Sequence, residues 1–168
     1  MWEIDLIARL AKPELWFNLS CMKTSSTLPT QIITEMLERS TKGAGDFLDV
    51  TKDLQATLST CGLKEGLLTV FVIGSTAGIV TFEFEPGLIQ DMREIYEKMA
   101  PSNKTYAHNA TWQDDNGFAH IRSALQGTSL AIPFHKGKLL LGTWQQVVLA
   151  EFDNRPRQRK IAIQMIGQ

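Results

Sequence analysis

Residues 129–166 read SLAIPFHKGKLLLGTWQQVVLAEFDNRPRQRKIAIQMI and contain four apolar runs separated by glycine, proline and polar residues. Apolar runs of this length that are rich in branched side chains and bounded by turn residues are typical of strands. The pattern predicts strands over residues 129–134, 138–141, 144–152 and 160–166. The turn His135-Lys136-Gly137 makes the first two of these strands a hairpin. Polar residues at the ends of the runs indicate a scaffold that carries a site.

Upstream of this segment, strands and helices follow one another without a fixed alternation. Strands are predicted over residues 31–39, 67–73 and 79–84, and helices over residues 52–61, 88–99 and 118–126. Gly62 suits the C-cap of the first helix, and Asp115 or Asn116 can cap the last. The order differs from that of a doubly wound sheet. It predicts an α+β fold, a single compact domain with a mainly antiparallel sheet covered by helices.

The chain is expected to divide at Met22. Residues 1–21 differ in character from the rest and are interpreted as an N-terminal extension, either a docking helix or a segment upstream of a natural start at Met22. Residues 22–168 form the domain. The whole chain has 168 residues, of which 43% are apolar and 21% charged, a size and composition that are ordinary for a globular protein.

Charge and cysteine content bound the partners and the compartment. A formal net charge of −1 argues against nucleic acid or an anionic membrane as the partner. Cys21 and Cys61 form no Cys-x-x-Cys motif, which favours a reduced, cytoplasmic setting. No apolar run approaches the ~20 residues that span a bilayer.

Two histidines and a cluster of acidic and amide side chains lie within thirteen residues: His108, Asp114, Asp115, Asn116 and His120. A loop leading into a helix that starts near Gly117 would bring the two imidazoles together. Two imidazoles and a carboxylate can bind zinc with an open position, as a catalytic metal requires. The start of the helix also favours phosphate. The alternative is that the acidic and amide residues are caps and that the histidines satisfy hydrogen bonds in the core.

Two further pairs of polar residues interrupt apolar runs in the first half of the domain. Glu83 and Glu85 share one face of a strand, where they can supply a general base or metal ligand, or simply mark the solvent side. Ser75 and Thr76 lie in a glycine-flanked turn whose spacing does not match a Gly-x-Ser-x-Gly nucleophile elbow. These hydroxyls can instead contact a ligand phosphate.

The C-terminal strands carry two more polar features. Gln145 and Gln146 need partners if they are buried, so their strand either lines a polar pocket, lies at a subunit interface or forms an edge with one wet face. The run from Arg155 to Lys160 contains four cations in six residues, including Arg157 and Arg159. Guanidinium groups match phosphate oxygens, although a solvated loop is an equal alternative.

At these residues the chain resembles the YjbQ-like family, whose members are often described as secondary thiamine-phosphate synthases. The resemblance covers about residues 34–164. Its specific part is residues 129–133 and 142–145, continued by residues 151–153 and 156–159, together with a histidine element that includes His108, Asn116 and His120.

The resemblance implies a homotrimer with sites near subunit boundaries and a divalent metal, namely zinc, magnesium or manganese, held by histidines that include His108 and His120. The family's first histidine lies in a His-Thr-Thr-Ala turn, and Gly74 takes its place here. The implied catalytic residues are His108, His120, Asp114 and Glu83. The implied ligand-binding residues are Ser75, Thr76, Asn116, Gln145, Arg157 and Arg159.

The activity implied is a metal-assisted transfer that joins a pyrimidine diphosphate to a thiazole phosphate with loss of pyrophosphate. Cations that stabilise the leaving pyrophosphate would supply most of the catalysis. Two alternatives remain open. One is a non-enzymatic trimer that binds a small phosphorylated ligand at a degenerate metal site, and the other is a hydrolase that attacks a phosphorylated metabolite with water.

Overall fold

The computed structural model describes residues 28–168, so the predicted extension over residues 1–21 lies outside the described part. The strands in this part are β1 (Gln31–Ser40), β2 (Phe47–Asp49), β3 (Glu65–Ile73), β4 (Ala77–Phe82), β5 (Ser129–His135), β6 (Lys138–Leu139), β7 (Gln146–Glu151) and β8 (Gln158–Gly167). The helices are α1 (Thr51–Cys61), α2 (Pro86–Met99), α3 (Ala107–Trp112) and α4 (Gly117–Gln126). Within residues 28–168, no helix is long and apolar enough to cross a membrane.

The strands form two antiparallel sheets. The larger sheet has the order β1-β8-β3-β5-β6 and the smaller one the order β2-β7-β4. Every strand pairing is antiparallel. The predicted α+β class is therefore confirmed, with the difference that the predicted single sheet is divided in two.

The four strands predicted in residues 129–166 are present, with shorter bounds for two of them. Their hairpin is also confirmed, since Phe134 pairs with Leu139 and His135 with Lys138. The connecting residues Lys136 and Gly137 both have positive φ, 53° and 73°, which is typical of the tightest hairpin turns. The strand predicted over residues 144–152 begins only at Gln146, because the preceding residues form a turn.

The apolar side chains form two cores on the two faces of the smaller sheet. The first core lies between the sheets and is closed by α1, whose Leu54 and Leu58 are fully buried. The second core lies between the smaller sheet and helices α2 and α4, and contains Phe47, Tyr96 and Phe152. The fold is thus layered as larger sheet, smaller sheet and helices.

Capping residues mark the end of α1 and the start of α2. Gly62 ends α1 with a φ of 75°, as predicted. Glu85 does not extend strand β4; its carboxylate caps α2 by accepting the N–H groups of Gly87 and Leu88. The prediction that Glu83 and Glu85 share a strand face is therefore wrong, because β4 ends at Phe82 before either of them. Glu83 is exposed just beyond the strand.

The outer face of the larger sheet is apolar and exposed. Its large side chains of 39–69% exposure are Ile32, Met36, Leu67, Phe71, Ile73 and Ile166. The register places Ile32, Ile166 and Leu67 in one row across β1, β8 and β3. Strand β3 carries this face up to Ile73, where the Gly74 turn begins.

Candidate functional site

Helices α3 and α4 bring the two predicted histidines into contact. The ring centroids of His108 and His120 lie 4.3 Å apart with an interplanar angle of 44°. The Asp114 carboxylate lies 3.9 Å from His108 Nε2. The expected closeness is confirmed, but His108 lies on the short helix α3 rather than on a loop. Six residues are too few to show a helical period in the sequence.

The environment of His120 keeps its imidazole uncharged at neutral pH. Burial lowers the pKa of this imidazole, the neighbouring His108 lowers it further, and the Asp114 and Asp153 carboxylates oppose the shift only in part. A neutral imidazole offers a lone pair for a cation or for a proton. The chain just after Asp153 also reaches this segment, since Asn154 Nδ2 donates to the Asp114 carbonyl at 2.7 Å.

Two buried oxygen atoms, one at the start of α4 and one just after β7, have no hydrogen-bond donor within residues 28–168. They are Asn116 Oδ1 and Asp153 Oδ1. Asn116 is the N-cap residue of α4 by position, but its side chain makes no capping hydrogen bond; Asn109 Oδ1 accepts from Gly117 N instead. The prediction that Asp115 or Asn116 caps the helix through its side chain is wrong for Asn116. A buried acceptor without a donor is costly, so each of these oxygens calls for a positively polarised group.

A buried ion-pair network holds Asp153 in place. Its other oxygen, Oδ2, accepts from Thr76 Oγ1 at 2.9 Å and from Arg157 Nε at 2.8 Å. Burial raises the pKa of the Asp153 carboxyl, but these hydrogen bonds outweigh burial and its pKa stays below the usual range. Glu151 accepts from Arg159 Nε at 2.6 Å and from Arg159 Nη2 at 2.5 Å. Both carboxylates are fully buried, and each is paired with a guanidinium group.

The predicted ligand-binding residues around this network differ in what they can reach. Thr76 is buried, and its hydroxyl bridges Asp153 and Arg159 Nη2. Arg159 is 7% exposed, and Glu151 and Thr76 take its Nε and Nη2 donors. Ser75 is exposed, and the Arg157 side chain is 31% exposed, so these two are the groups that a ligand can touch.

Glu83 and Gln145 are not brought to the histidines within this chain. The network lies where Ala77 pairs with Glu151, whereas Glu83 and Gln145 lie beyond the pair Phe82–Gln146 at the other end of the same ladder. Five residues separate the two pairs, which is about 17 Å of strand at ~3.3 Å per residue. Gln145 donates to Thr81 Oγ1 and accepts from Gly142 N in an exposed turn.

The described residues do not form a complete set of metal ligands. Within the described residues there is no group of three or more histidine, cysteine, aspartate or glutamate side chains arranged to hold a metal ion. A catalytic zinc site with three such ligands is therefore not formed. The two contacting imidazoles are nitrogen donors, and Asn116 Oδ1 and Asp153 Oδ1 are buried oxygen atoms without a donor in this part of the chain.

Glu151 and Asp153 are the members of the site that the sequence interpretation missed. They stand two residues apart at the end of an apolar strand and directly before a basic run. The apolar strand before them buries one of its faces in the core. Carboxylates at the end of such a strand, followed by guanidinium groups, indicate a buried ion-pair network.

Comparisons with known proteins agree with one another. The model of the family described as "UPF0047 protein YjbQ-like" matches residues 35–168. A UPF0047 protein of Methanothermobacter thermautotrophicus is 33% identical over 138 residues, which cover 82% of this chain and 94% of that protein. The UPF0047 protein YugU of Bacillus subtilis is 30% identical over 78% of this chain and 97% of its own length.

Solved structures show the same similarity. A YbjQ-like protein of unknown function from Sulfolobus solfataricus has a TM-score of 0.78 and 29% identity, and the alignment covers 83% of this chain and 100% of that one. A protein of the yjbq/upf0047 family from Clostridium acetobutylicum has a TM-score of 0.68 and 32% identity over 77% of this chain and 98% of its own.

Proposed function

This chain belongs to the YjbQ-like UPF0047 family, and from that premise we propose that its His108–His120 site binds a divalent cation and acts on a phosphorylated small molecule. The reaction we propose is the transfer of a pyrimidine group from its diphosphate to a thiazole phosphate, with pyrophosphate as the leaving group. The observation that carries the proposal is the contact between the two imidazoles, together with two buried oxygens, at the start of α4 and just after β7, that lack donors within residues 28–168.

The charge of the site favours a cation over a free phosphate. Asp114, Glu151 and Asp153 are three carboxylates against the two guanidinium groups of Arg157 and Arg159. These three carboxylates and two guanidinium groups leave one negative charge uncompensated. A phosphate alone would be repelled here, whereas a divalent cation would reverse the sign of the site and allow a phosphorylated ligand to follow.

His108, His120, Asn116 and Asp153 would hold the cation. A bound divalent cation would supply charge stabilisation to the phosphate oxygens of the leaving group. The chain's own residues would orient the substrate. Arg157, fixed through Nε and Nη2 by Asp153, would direct its remaining N–H groups to a phosphate, and the exposed Ser75 hydroxyl would donate to another oxygen.

Metal binding is the first part of the proposal to test. Mn²⁺ titration by calorimetry should give about one site per chain, and the double variant His108→Ala/His120→Ala should abolish it. Asp153→Asn should weaken binding at least tenfold, because the orphaned oxygen then belongs to a neutral amide. His135→Ala is the matched control, since this third histidine pairs with Glu65 at the far end of β5. Equal affinity in all four proteins would refute the cation site.

Activity is the second part, and it has a separate readout. The metal-loaded protein is incubated with the pyrimidine diphosphate and the thiazole phosphate, and the products thiamine phosphate and pyrophosphate are measured. The two products should form in equal amounts. We expect turnover that falls at least a hundredfold in His108→Ala/His120→Ala and is unchanged in His135→Ala. Turnover that survives loss of both imidazoles would contradict the proposed chemistry.

A second candidate, a ligand-binding protein without turnover, is favoured by one specific observation. Gly74 occupies the position where the family resemblance expects a histidine, and no three-residue ligand group occurs within residues 28–168. Under this alternative the cation binds and phosphorylated ligands follow it, but no product forms. The two assays above distinguish the candidates, because metal binding without turnover fits only the second.

Trimer formation is a further part of the proposal. The exposed apolar outer face of the larger sheet supports it, because large exposed apolar patches mark interaction surfaces. This face ends at Ile73, next to the Gly74 turn, so a neighbouring subunit there would border the site. Light scattering should give three times the mass of the chain, and Phe71→Glu should lower it. A monomeric mass for the unmodified protein would refute the trimer.

A further inference from the structure

A second cavity lies in the helical layer, on the side of the smaller sheet that faces α2 and α4. It has a volume of about 230 Å³. Phe47, Tyr96 and Phe152 form its aromatic wall, and Arg93, Glu97 and Arg122 supply its charged groups. At ~30 Å³ for each water molecule, the volume holds about seven waters, which corresponds to a compact ligand with a single ring.

The aromatic wall is closely packed and reaches the cavity through small areas of apolar surface, since Phe47, Tyr96 and Phe152 are 6%, 4% and 1% exposed. The rings of Tyr96 and Phe152 meet edge to face at 4.7 Å, and those of Phe47 and Tyr96 stack at 6.2 Å. The Tyr96 hydroxyl is already committed to Gln126 Oε1 at 2.5 Å. Burial raises the pKa of Tyr96 to about 12, so this residue adds no negative charge. The wall therefore suits the face or edge of a flat ring.

The charges in the cavity do not cancel. Glu97 accepts from Ser102 with one oxygen and from Arg122 Nη2 at 2.5 Å with the other. Arg122 is 4% exposed and also donates twice to the Ala100 carbonyl, so this pair is neutral and fixed. Arg93 donates only through Nε, to Gly45 O, and forms no ion pair within residues 28–168. One positive charge thus remains at the mouth of the cavity.

We propose that this cavity is a binding site for a small planar monoanion, of the chemical class of an aromatic or heteroaromatic carboxylate. The ring would lie against Phe47, Tyr96 and Phe152, and the carboxylate would take the two free nitrogen atoms of Arg93. A guanidinium with both terminal nitrogens available matches a carboxylate in a paired geometry. The site is separate from the histidine pair: Phe152 faces the cavity, while the next residue, Asp153, accepts from Thr76 and Arg157.

The test uses the full chain and benzoate as the probe, followed by ¹⁵N-resolved NMR. Benzoate should bind saturably and shift the amide resonances of Gly45 and Ser102, which border the cavity. Benzyl alcohol, which keeps the ring without the charge, and acetate, which keeps the charge without the ring, should each bind at least fivefold more weakly.

The matched variants are Arg93→Gln and Lys98→Gln, two charge-neutralising changes at exposed positions of the same helix. Arg93→Gln should weaken benzoate about tenfold, and Lys98→Gln should leave it unchanged. The proposal would be overturned if benzoate bound both variants with equal affinity, or if benzyl alcohol bound as tightly as benzoate. It would also be overturned if benzoate did not bind saturably up to ~10 mM, or if the resonance shifts were centred on His108 and His120. None of these variants changes a residue of the proposed cation site. The proposal of an anion-binding cavity can therefore be refuted without refuting the proposed cation site, and the reverse is also true.

Discussion

Replacement of Arg159 by methionine should destabilise the fold strongly, because it leaves a buried carboxylate without its partner. Arg159 is 8% exposed at its side chain and Glu151 is 0% exposed. The guanidinium makes two hydrogen bonds to Glu151 and two to Thr76. Removing one partner of such a pair costs about 3–5 kcal/mol. A domain of this size has a free energy of unfolding of about 5–15 kcal/mol, so the loss is a large share of it.

The assay is urea unfolding at pH 7, with all proteins at one concentration because assembly would add to the apparent stability. The corresponding fall in Tm is about 6–20 °C, at ~2–4 °C for each kcal/mol. Arg155→Met is the matched control, since this exposed arginine lies in the same basic run, and it should change the free energy of unfolding by less than ~0.5 kcal/mol.

A double-mutant cycle separates the ion pair from other losses of packing. Glu151→Gln alone should also destabilise, because Arg159 then keeps an uncompensated charge. The double variant should be less destabilised than the sum of the single ones by about 1–3 kcal/mol. Additive effects, or a loss below ~1 kcal/mol for Arg159→Met, would show that the buried ion pair does not stabilise the fold.

Three further predictions follow from the packing and from the pKa shifts. Gly66→Ala should lower the free energy of unfolding by about 3 kcal/mol or more, since a Cβ there would lie 2.1 Å from a β8 carbonyl oxygen. Gly142→Ala is the control and should lower it by under ~1 kcal/mol in the same assay, because an added Cβ would have no atom closer than 3.7 Å. Leu58→Ala should cost about 2–5 kcal/mol by urea unfolding, because the side chain is fully buried in the first core. The hydrogen bond from His135 holds the pKa of the Glu65 carboxyl in the folded protein below its usual range. The stabilisation that Glu65 contributes is therefore present above the pKa of this carboxyl in the unfolded chain, and it is lost as the pH falls through the pKa in the folded protein. His135→Gln should raise that pKa in a ¹³C NMR titration, and an unchanged value would contradict the cause given.

The sequence was sufficient for most of the elements but not for their arrangement. The apolar runs in residues 129–166 and the cap at Gly62 are local signals, and the structure contains the strands and the helix end that they predict. The division into two sheets depends on long-range pairing, such as that of β1 with β8 more than a hundred residues later. Apolar periodicity shows which face of a strand is buried, but it does not show which strand pairs with it. The division into two sheets therefore could not be predicted from the sequence.

The candidate site likewise contains residues that could be predicted from the sequence and residues that could not. The histidine pair was predictable because a short connection can return the chain on itself, and the rings do meet. Glu83 and Gln145 were assigned from residue type and resemblance, and the antiparallel ladder carries both about 17 Å along β4 and β7 from the network. Asp153 was missed because a carboxylate after an apolar strand is most often solvated, and only the fold buries it between Thr76 and Arg157.

Gly74 shows why the missing third histidine cannot be treated as a simple deletion. Its φ is 149°, a value that side chains rarely adopt, and an added Cβ would lie 3.0 Å from Arg159 Nη1. We therefore expect Gly74→His to lose roughly 1–3 kcal/mol in urea unfolding and to leave Mn²⁺ affinity unchanged in calorimetry, because the turn and Arg159 must both move before the imidazole can join the other two. Tighter metal binding at unchanged stability would show that the turn accepts a histidine as it stands. The expected result would mean that this site is organised around the Arg159–Glu151 pair and Asp153, with the carboxylate in the role that a third imidazole would otherwise fill.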